Sequence, residues 1–279
     1  MTGTAQATVL GALLLSVASP AHAYLIDLND ATVVGRGRMA LELQPIGYHQ
    51  ALIGDEVHEL VVPSFQLYWG FGEGWDVLYV ARGYALLDDA PPDQSRFTYA
   101  QQMIGFRTVL RHGAYSTEEE GEDAPAGPSL VLQTGLFLPS VGPGERGFGA
   151  NLALLFTQMW DEATVHLNAW ASLTPERTFE LFLSCVIEGP HAWPVVPLVE
   201  VYFDLEDGEP SASGLVGAVI SVTDDFALQG GVRVGGWEDH LELEVRLSSW
   251  IEWEVWDAAV ERQEERAARG VRARRGGGS

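Results

Sequence analysis

The alternation of apolar and charged residues in LELEVRLSSWIEWEVW, residues 241–256, limits the folds open to this chain more than any other feature. Successive side chains of a β-strand point to opposite faces, so this period of two predicts a strand with one apolar and one charged face. At about 3.3 Å per residue such a strand would be roughly 53 Å long, whereas an ordinary strand has about five or six residues. A strand of this length needs an extended apolar surface to cover its apolar face.

The same period recurs along most of the chain. In PSFQLYWGFGEGWDVLYVARG, residues 63–83, two alternating runs flank Gly72-Glu73-Gly74 and predict a hairpin with a tight turn. No convincing helix is predicted before residue 257. We predict twelve strands, near 36–45, 58–71, 75–86, 96–111, 129–139, 148–160, 163–172, 178–188, 195–205, 213–223, 226–236 and 241–256.

The N-terminus predicts export. ATVLGALLLSVASPAHA, residues 7–23, has an apolar run, a helix-breaking Pro20 and an Ala-His-Ala end, so we expect a signal peptide over 1–23 and a mature chain beginning at Tyr24. The segment before the run lacks Lys and Arg, which departs from the usual signal peptide. An uncleaved anchor is the alternative, but the run is short for spanning a bilayer.

Composition excludes several classes of function. A net charge of −23 and the absence of lysine argue against a nucleic-acid partner, because binding phosphates needs basic patches. The single cysteine, Cys185, excludes an intramolecular disulfide and a cysteine-based zinc cluster, and we expect it at a buried strand position. The histidines are scattered without metal-ligand spacing, so neither a metal nor another cofactor is predicted.

The connections between strands predict a barrel in a membrane. They are short near 72–74, 161–162 and 223–225 and longer at 46–57, 87–95, 140–147 and 205–212. Outer-membrane barrels have this layout, with an even strand number and short periplasmic turns. The exception is 112–128, which falls on the short-turn side and is either a long periplasmic loop or the sign of a miscounted strand.

We therefore predict an all-β protein, an antiparallel transmembrane β-barrel of about 12 strands over residues 24–256. Only a closed barrel satisfies the backbone of strands in lipid, so the first strand should pair with the last. The expected partners are outer-membrane lipid and the barrel-assembly machinery. Residues 257–279, rich in Arg, Glu and Ala, form a helical or disordered tail. A soluble periplasmic barrel or sandwich is the alternative, in which the apolar face would fill a dry core.

The alternation assigns side chains to the two faces of the barrel. Trp69, Trp75, Trp160, Trp237 and Trp253 lie near strand ends, where interfacial girdles are expected. The outward set is Phe65, Leu67, Val165, Leu167, Val199, Val201, Leu241, Leu243 and Val245. The lumen-lining set is Glu42, Gln66, Asp76, Arg82, Arg107, His166, Asn168, Glu180, Glu200, Arg233, Glu242, Glu244 and Arg246.

Three short motifs resemble a known family. GPSLVLQTGLFLPSVGPGERG, VHLNAWAS and PLVEVYFD, which begin at residues 127, 165 and 197, look like the Pro-led strand, the His-x-Asn strand and the strand with an inward Glu of the outer-membrane barrel family named for the meta-pathway of phenol degradation. The likeness covers roughly residues 33–256. It implies a channel or transporter for a small solute, with apolar or aromatic solutes among the candidates.

An outer-membrane lipid hydrolase is the alternative from another class. If the hairpin centres on Pro175, Ser184 lies across from His166, with Asn168 on the same face as the histidine. Outer-membrane phospholipase uses such a triad. Packing in the lumen is the simpler explanation, because a serine facing the lumen is far from lipid ester bonds. The acidic segments 118–123 and 204–209 are either solvated loops or calcium sites without EF-hand spacing.

The predicted lumen carries more carboxylates than guanidinium groups. Rings of carboxylates favour cations, so a conducting pore should be cation-selective. Alternatively, these charges pair across the lumen and fill it. The carboxylates counted are Glu42, Glu180, Glu200, Glu242, Glu244, Glu252 and Glu254, against Arg82, Arg107, Arg233 and Arg246.

Overall fold

In the computed structural model, the described residues form twelve antiparallel strands and no helix. Residues 30–53, 58–86, 97–114, 127–139, 147–175, 177–206, 208–237 and 240–256 are described. Within them, no helix long and apolar enough to cross a membrane occurs. The strands are β1 Arg38–Ile53, β2 His58–Gly72, β3 Trp75–Leu86, β4 Phe97–Arg111, β5 Ser129–Phe137, β6 Gly149–Trp160, β7 Ala163–Leu173, β8 Phe179–Glu188, β9 Val196–Glu206, β10 Glu209–Thr223, β11 Phe226–Trp237 and β12 His240–Glu254.

The strands close into one barrel in which each strand pairs with its two neighbours along the chain. β1 pairs with β2 on one side and with β12 on the other, with Leu41 opposite Ile251 in the closing pair. The predicted strand number and closing pair are therefore confirmed. We call the end of the barrel that holds the start of β1 and the end of β12 the lower end, and the opposite end the upper end.

Two connections at the upper end are shorter than predicted. β1 continues to Ile53 through a register shift after Leu43, and β10 begins at Glu209, so the predicted long loops at 46–57 and 205–212 are wrong. Gly208, with φ of 91°, lies in the tight β9–β10 turn. The alternation fades there because hairpin ends beyond the membrane have water on both faces, while backbone pairing continues. The 112–128 connection joins β4 to β5 at the lower end, so no strand was miscounted.

The polarity of the barrel is the reverse of that of a soluble protein. On β9, Val201 is 60% exposed and Glu200 is 1% exposed; on β7 the values are 45% for Leu167 and 1% for His166. Exposed apolar side chains surround a buried polar interior, which is the arrangement of a transmembrane barrel. The soluble alternative, in which the apolar residues fill a dry core, is wrong.

An aromatic belt lies on the outside near the lower end. The rings of Trp69 and Phe71 are 4.1 Å apart between centroids, Phe71 stacks on Trp75 at 5.4 Å, and Trp75 contacts Phe106 at 5.6 Å. Trp256 extends the belt past β12 by contacting Trp69 at 6.1 Å. Such girdles mark the boundary between hydrocarbon and water.

Candidate functional site

A segment of the chain before β1 lies inside the lower end of the barrel. We call residues 30–37 the strap. Asp30, Ala31 and Val34 are buried, and the end of the strap is tied to β2 by the bond from Gly37 N–H to the carbonyl oxygen of Gly70, just before β1 begins. The strap thus belongs to the interior and not to the outer surface.

Two side chains of the lumen wall hold the backbone of the strap. The N–H of Val34 donates to Oδ2 of Asp76 on β3 at 2.8 Å, and the N–H of Ala31 donates to Oγ1 of Thr157 on β6 at 2.9 Å. β6 is five strands from β1 in a ring of twelve, almost diametrically opposite. The strap therefore crosses the lumen instead of following its wall.

The Asp76 carboxylate is itself fixed by a buried ion pair. Arg107 on β4 donates from Nε to Oδ1 at 2.9 Å and from Nη2 to Oδ2 at 2.5 Å, which is the bidentate geometry of a strong pair. The guanidinium group also lies over the ring of Tyr68, 4.4 Å from its centroid. A rigid carboxylate thus meets the strap backbone.

Apolar side chains pack around the strap in the lumen. Val34 belongs to one buried apolar cluster with Leu78 on β3 and Val196 on β9, two strands on opposite sides of the barrel. The strap and the residues that it contacts thus occupy the lumen at this level.

A second polar cluster lies higher in the lumen. Glu244 on β12 accepts two bonds from Arg246, at 2.6 and 2.7 Å, and one from Nη1 of Arg233 at 3.1 Å. Nearer the lower end, the amide of Gln229 donates to Glu42 at 2.7 Å. Several of the predicted lumen charges thus bond to one another, as the packed-lumen alternative expects.

The other predicted lumen residues differ in exposure. Gln66, Asn168 and Glu200 are buried, whereas Arg82 and Glu180 are half-buried. The side chain of Glu242 lies outside the described residues, although its backbone pairs with Gly235. Cys185, expected at a buried position, is half-buried on β8.

The predicted facing of Ser184 and His166 is wrong. In the β7–β8 register, His166 is opposite Val186, and Ser184 is opposite Asn168, whose amide donates to the serine at 3.2 Å. The hairpin is centred one residue further along than assumed, which moves every partner by two positions. The histidine instead contacts Thr157 through Nδ1 at 2.8 Å, with Nε2 3.4 Å from a Glu188 carboxylate oxygen. The arrangement needed to activate the serine is therefore absent from the described residues.

Among the described residues, no group of three His, Cys, Asp or Glu side chains is placed to hold a metal ion. The acidic segment 118–123 lies outside the described residues, and so does Asp207 of the segment 204–209.

The strap is the part of the site that sequence reasoning missed. DATVVGRG, residues 30–37, lacks the length and the alternation of a strand, and the wall side chains that it bonds are 42 and 126 positions away in sequence. One signal was available: Asp76 is an acid just inside a predicted strand, with Arg107 on the next strand of the same sheet. The pair could be predicted, but its third partner could not.

Comparison with known proteins shows similarity in fold. No protein-family model matches the chain. No curated protein matches it either. Among solved structures, the COG4313 outer membrane channel from Pseudomonas putida F1 is similar, with a TM-score of 0.58 and 10% identity over 82% of this chain and 100% of that chain. The KdgM porin in complex with disordered oligogalacturonate follows with a TM-score of 0.49, 9% identity and coverage of 77% and 99%. The CymD monoaromatic hydrocarbon channel has a TM-score of 0.48, 10% identity and coverage of 86% and 95%.

Proposed function

We propose that this protein is an outer-membrane channel for small solutes whose lumen is closed by its own N-terminal strap. The lower end faces the periplasm, as the position of the start of β1 and the end of β12 predicts for barrels of this kind. The observation that carries the proposal is the strap itself, a backbone segment that crosses a polar lumen and is held by the side chains of Asp76 and Thr157. A lumen filled only by wall side chains would have no such removable element.

Two independent likenesses support transport. The motifs beginning at residues 127, 165 and 197 resemble the family named for the meta-pathway of phenol degradation, to which transport is attributed. The Pseudomonas putida channel has the same barrel fold. A hydrolytic function has no comparable support, because Ser184 and His166 face different partners.

The charge of the lumen favours cations once the strap moves. Among the described buried side chains, carboxylates outnumber guanidinium groups: Asp30, Glu42, Asp76, Glu188, Glu200 and Glu244 stand against Arg107 and Arg246. Carboxylates that line a pore raise the local concentration of cations and lower that of anions. We therefore expect a cation-selective open state.

Planar-bilayer recording of the purified, refolded chain tests the proposal. The parent protein should be mostly closed, and a variant lacking residues 30–35 should conduct with cation preference. Both should migrate differently in electrophoresis before and after boiling, which verifies that each barrel is folded. If the deletion variant is folded but does not conduct, the lumen is closed by the side chains of its wall and the strap does not gate it.

A further inference from the structure

A row of aromatic rings lines the lumen near the upper ends of three neighbouring strands. Trp170 on β7, Phe182 on β8 and Tyr202 on β9 occupy inward positions, and we call them the aromatic row. Their centroids are 5.4 and 5.3 Å apart, with neighbouring rings tilted by 46° and 44°. Arg233 on β11 extends over Tyr202, with Cζ 4.3 Å from the ring centroid. An aromatic surface of the lumen thus ends at a guanidinium group.

The aromatic row also carries hydrogen-bond donors that have no partner. Nε1 of Trp170 and the hydroxyl of Tyr202 are buried and lack a hydrogen-bond partner among the described residues. Unpaired buried donors are costly, about 1–3 kcal/mol each, so native proteins seldom keep them without a use. Both belong to the same short stretch of wall, which points to an acceptor that arrives with a ligand.

Arg233 supplies the third donor of this stretch and a positive charge. Its Nε donates to Oγ of Ser213 at 3.2 Å and its Nη1 to Glu244 at 3.1 Å, whereas its Nη2 donates to none of the described residues. Glu244 has two shorter bonds from Arg246. Arg233 can therefore turn toward a solute while Glu244 keeps its bonds to Arg246. A buried carboxylate without any partner would destabilise the barrel.

These features together define the chemistry of the ligand. Small-molecule sites combine apolar or aromatic walls with a few placed polar groups, and this stretch offers aromatic rings with donors on Trp170, Tyr202 and Arg233. A planar ring gains from packing against the row, and a carboxylate matches the fork of a guanidinium group. We propose that the aromatic row and Arg233 form a subsite for aromatic carboxylates, with the ring against Trp170 and Phe182 and the carboxylate on Arg233. The subsite rests on the proposed channel function, because the solute enters through the upper end.

Calorimetric titration of the folded full-length chain in detergent with sodium benzoate tests the subsite without requiring conductance. Arg233→Gln should weaken benzoate binding about 10-fold or more, which corresponds to the loss of one charge-assisted contact. Trp170→Leu should weaken it several-fold, because the variant keeps apolar volume but loses the ring and the N–H. Cyclohexanecarboxylate, which has the charge but no aromatic ring, should bind less tightly than benzoate.

Matched controls separate the subsite from general electrostatics. Arg177→Gln removes the same charge from an exposed residue in the β7–β8 connection at the upper end and should leave binding unchanged. Arg233→Lys should retain part of the affinity, because the charge stays and the fork is lost. Each variant is checked for the heat-dependent migration of a folded barrel.

Three results would overturn the subsite: no benzoate binding to the parent protein at millimolar concentration, equal effects of the changes at Arg233 and Arg177, or toluene binding as tight as that of benzoate. Failure of the channel function is distinguishable from these. Tight, Arg233-dependent benzoate binding to a barrel that never conducts would support the subsite and reject the channel. If the strap-deletion variant conducts but the parent chain does not bind benzoate, the channel function is supported and the subsite is rejected.

Discussion

Replacing Asp76 by Asn should open the barrel, because this carboxylate holds the strap in the lumen. Asp76 is fully buried and accepts two bonds from Arg107 and one from the backbone N–H of Val34. An asparagine keeps the size of the side chain but loses its charge, and its amide nitrogen can only donate. If the amide nitrogen takes the Oδ2 position, the Val34 N–H and Nη2 of Arg107 both lose their acceptor; if it takes the Oδ1 position, Nε of Arg107 does, and the Val34 N–H is left with an uncharged, weaker acceptor.

The size of the effect follows from the type of bond. A hydrogen bond to a charged group contributes about 1.5–3 kcal/mol. If the strap loses that contribution while the open state does not, the ratio of open to closed channels rises about 10- to 150-fold, since 1.4 kcal/mol corresponds to a factor of ten. The substitution also lowers the stability of the folded barrel, because Arg107 loses its counter-charge. Removing one partner of a buried ion pair costs about 3–5 kcal/mol.

Single-channel open probability in planar bilayers measures the change, with Asp225→Asn as the matched control. Asp225 bonds Arg38 at 2.6 Å at the same end of the barrel, but its side chain is 59% exposed and none of its described contacts is with residues 30–36. Exposed pairs contribute about 0–1 kcal/mol, so the control should behave like the parent protein. If Asp76→Asn leaves the open probability unchanged while the strap-deletion variant conducts, Asp76 is not the residue that holds the strap in the lumen.

Other predictions follow from the same structure. Gly70→Ala should also raise the open probability, because a Cβ there would lie 2.0 and 2.3 Å from two strap carbonyl oxygens; Gly214→Ala, whose nearest neighbour is 3.7 Å away, should have no such effect. Changing Glu242 and Glu244 together to Gln should reduce the ratio of potassium to chloride permeability of the open pore, measured from reversal potentials, and a rise in that ratio would contradict the charge argument. Val201→Arg places a charge on the lipid-facing side of β9 and should destabilise the folded barrel by about 2–4 kcal/mol in urea titrations in lipid vesicles, whereas Val201→Thr should cost less.

The sequence alone determined the strands and their two faces. In 241–256, apolar and charged residues alternate so regularly that in a membrane barrel a register error of one residue would put Glu244 in lipid and Val245 in the lumen, so a membrane barrel has one assignment of its faces. Closure followed from the same physics, because an unpaired edge in hydrocarbon leaves backbone groups without partners. The strands follow from local alternation, and closure follows from a general property of backbone groups in lipid. Neither conclusion requires knowing which residues distant in sequence are in contact.

The ends of the hairpins were predicted less well, for a related reason. Beyond the membrane both faces of a strand contact water, so pairing between β9 and β10 continues to Glu206 and Glu209 without any alternation to reveal it. The facing of Ser184 was missed by two positions because hairpin register depends on turn geometry, and a shift of the turn centre by one residue moves the partner by two.

Only the tertiary structure decided the contents of the lumen. The strap bonds Asp76 and Thr157, and Arg233 reaches across β10 to Tyr202; each contact joins residues that are far apart in sequence and share no periodic pattern. A strand fixes which face a side chain leaves from, but the curvature of the closed barrel decides which side chains converge. The polarity of the wall is therefore a property of the sequence, whereas the packing of residues 30–37 inside the lumen and the aromatic row arise from the three-dimensional closure of twelve strands.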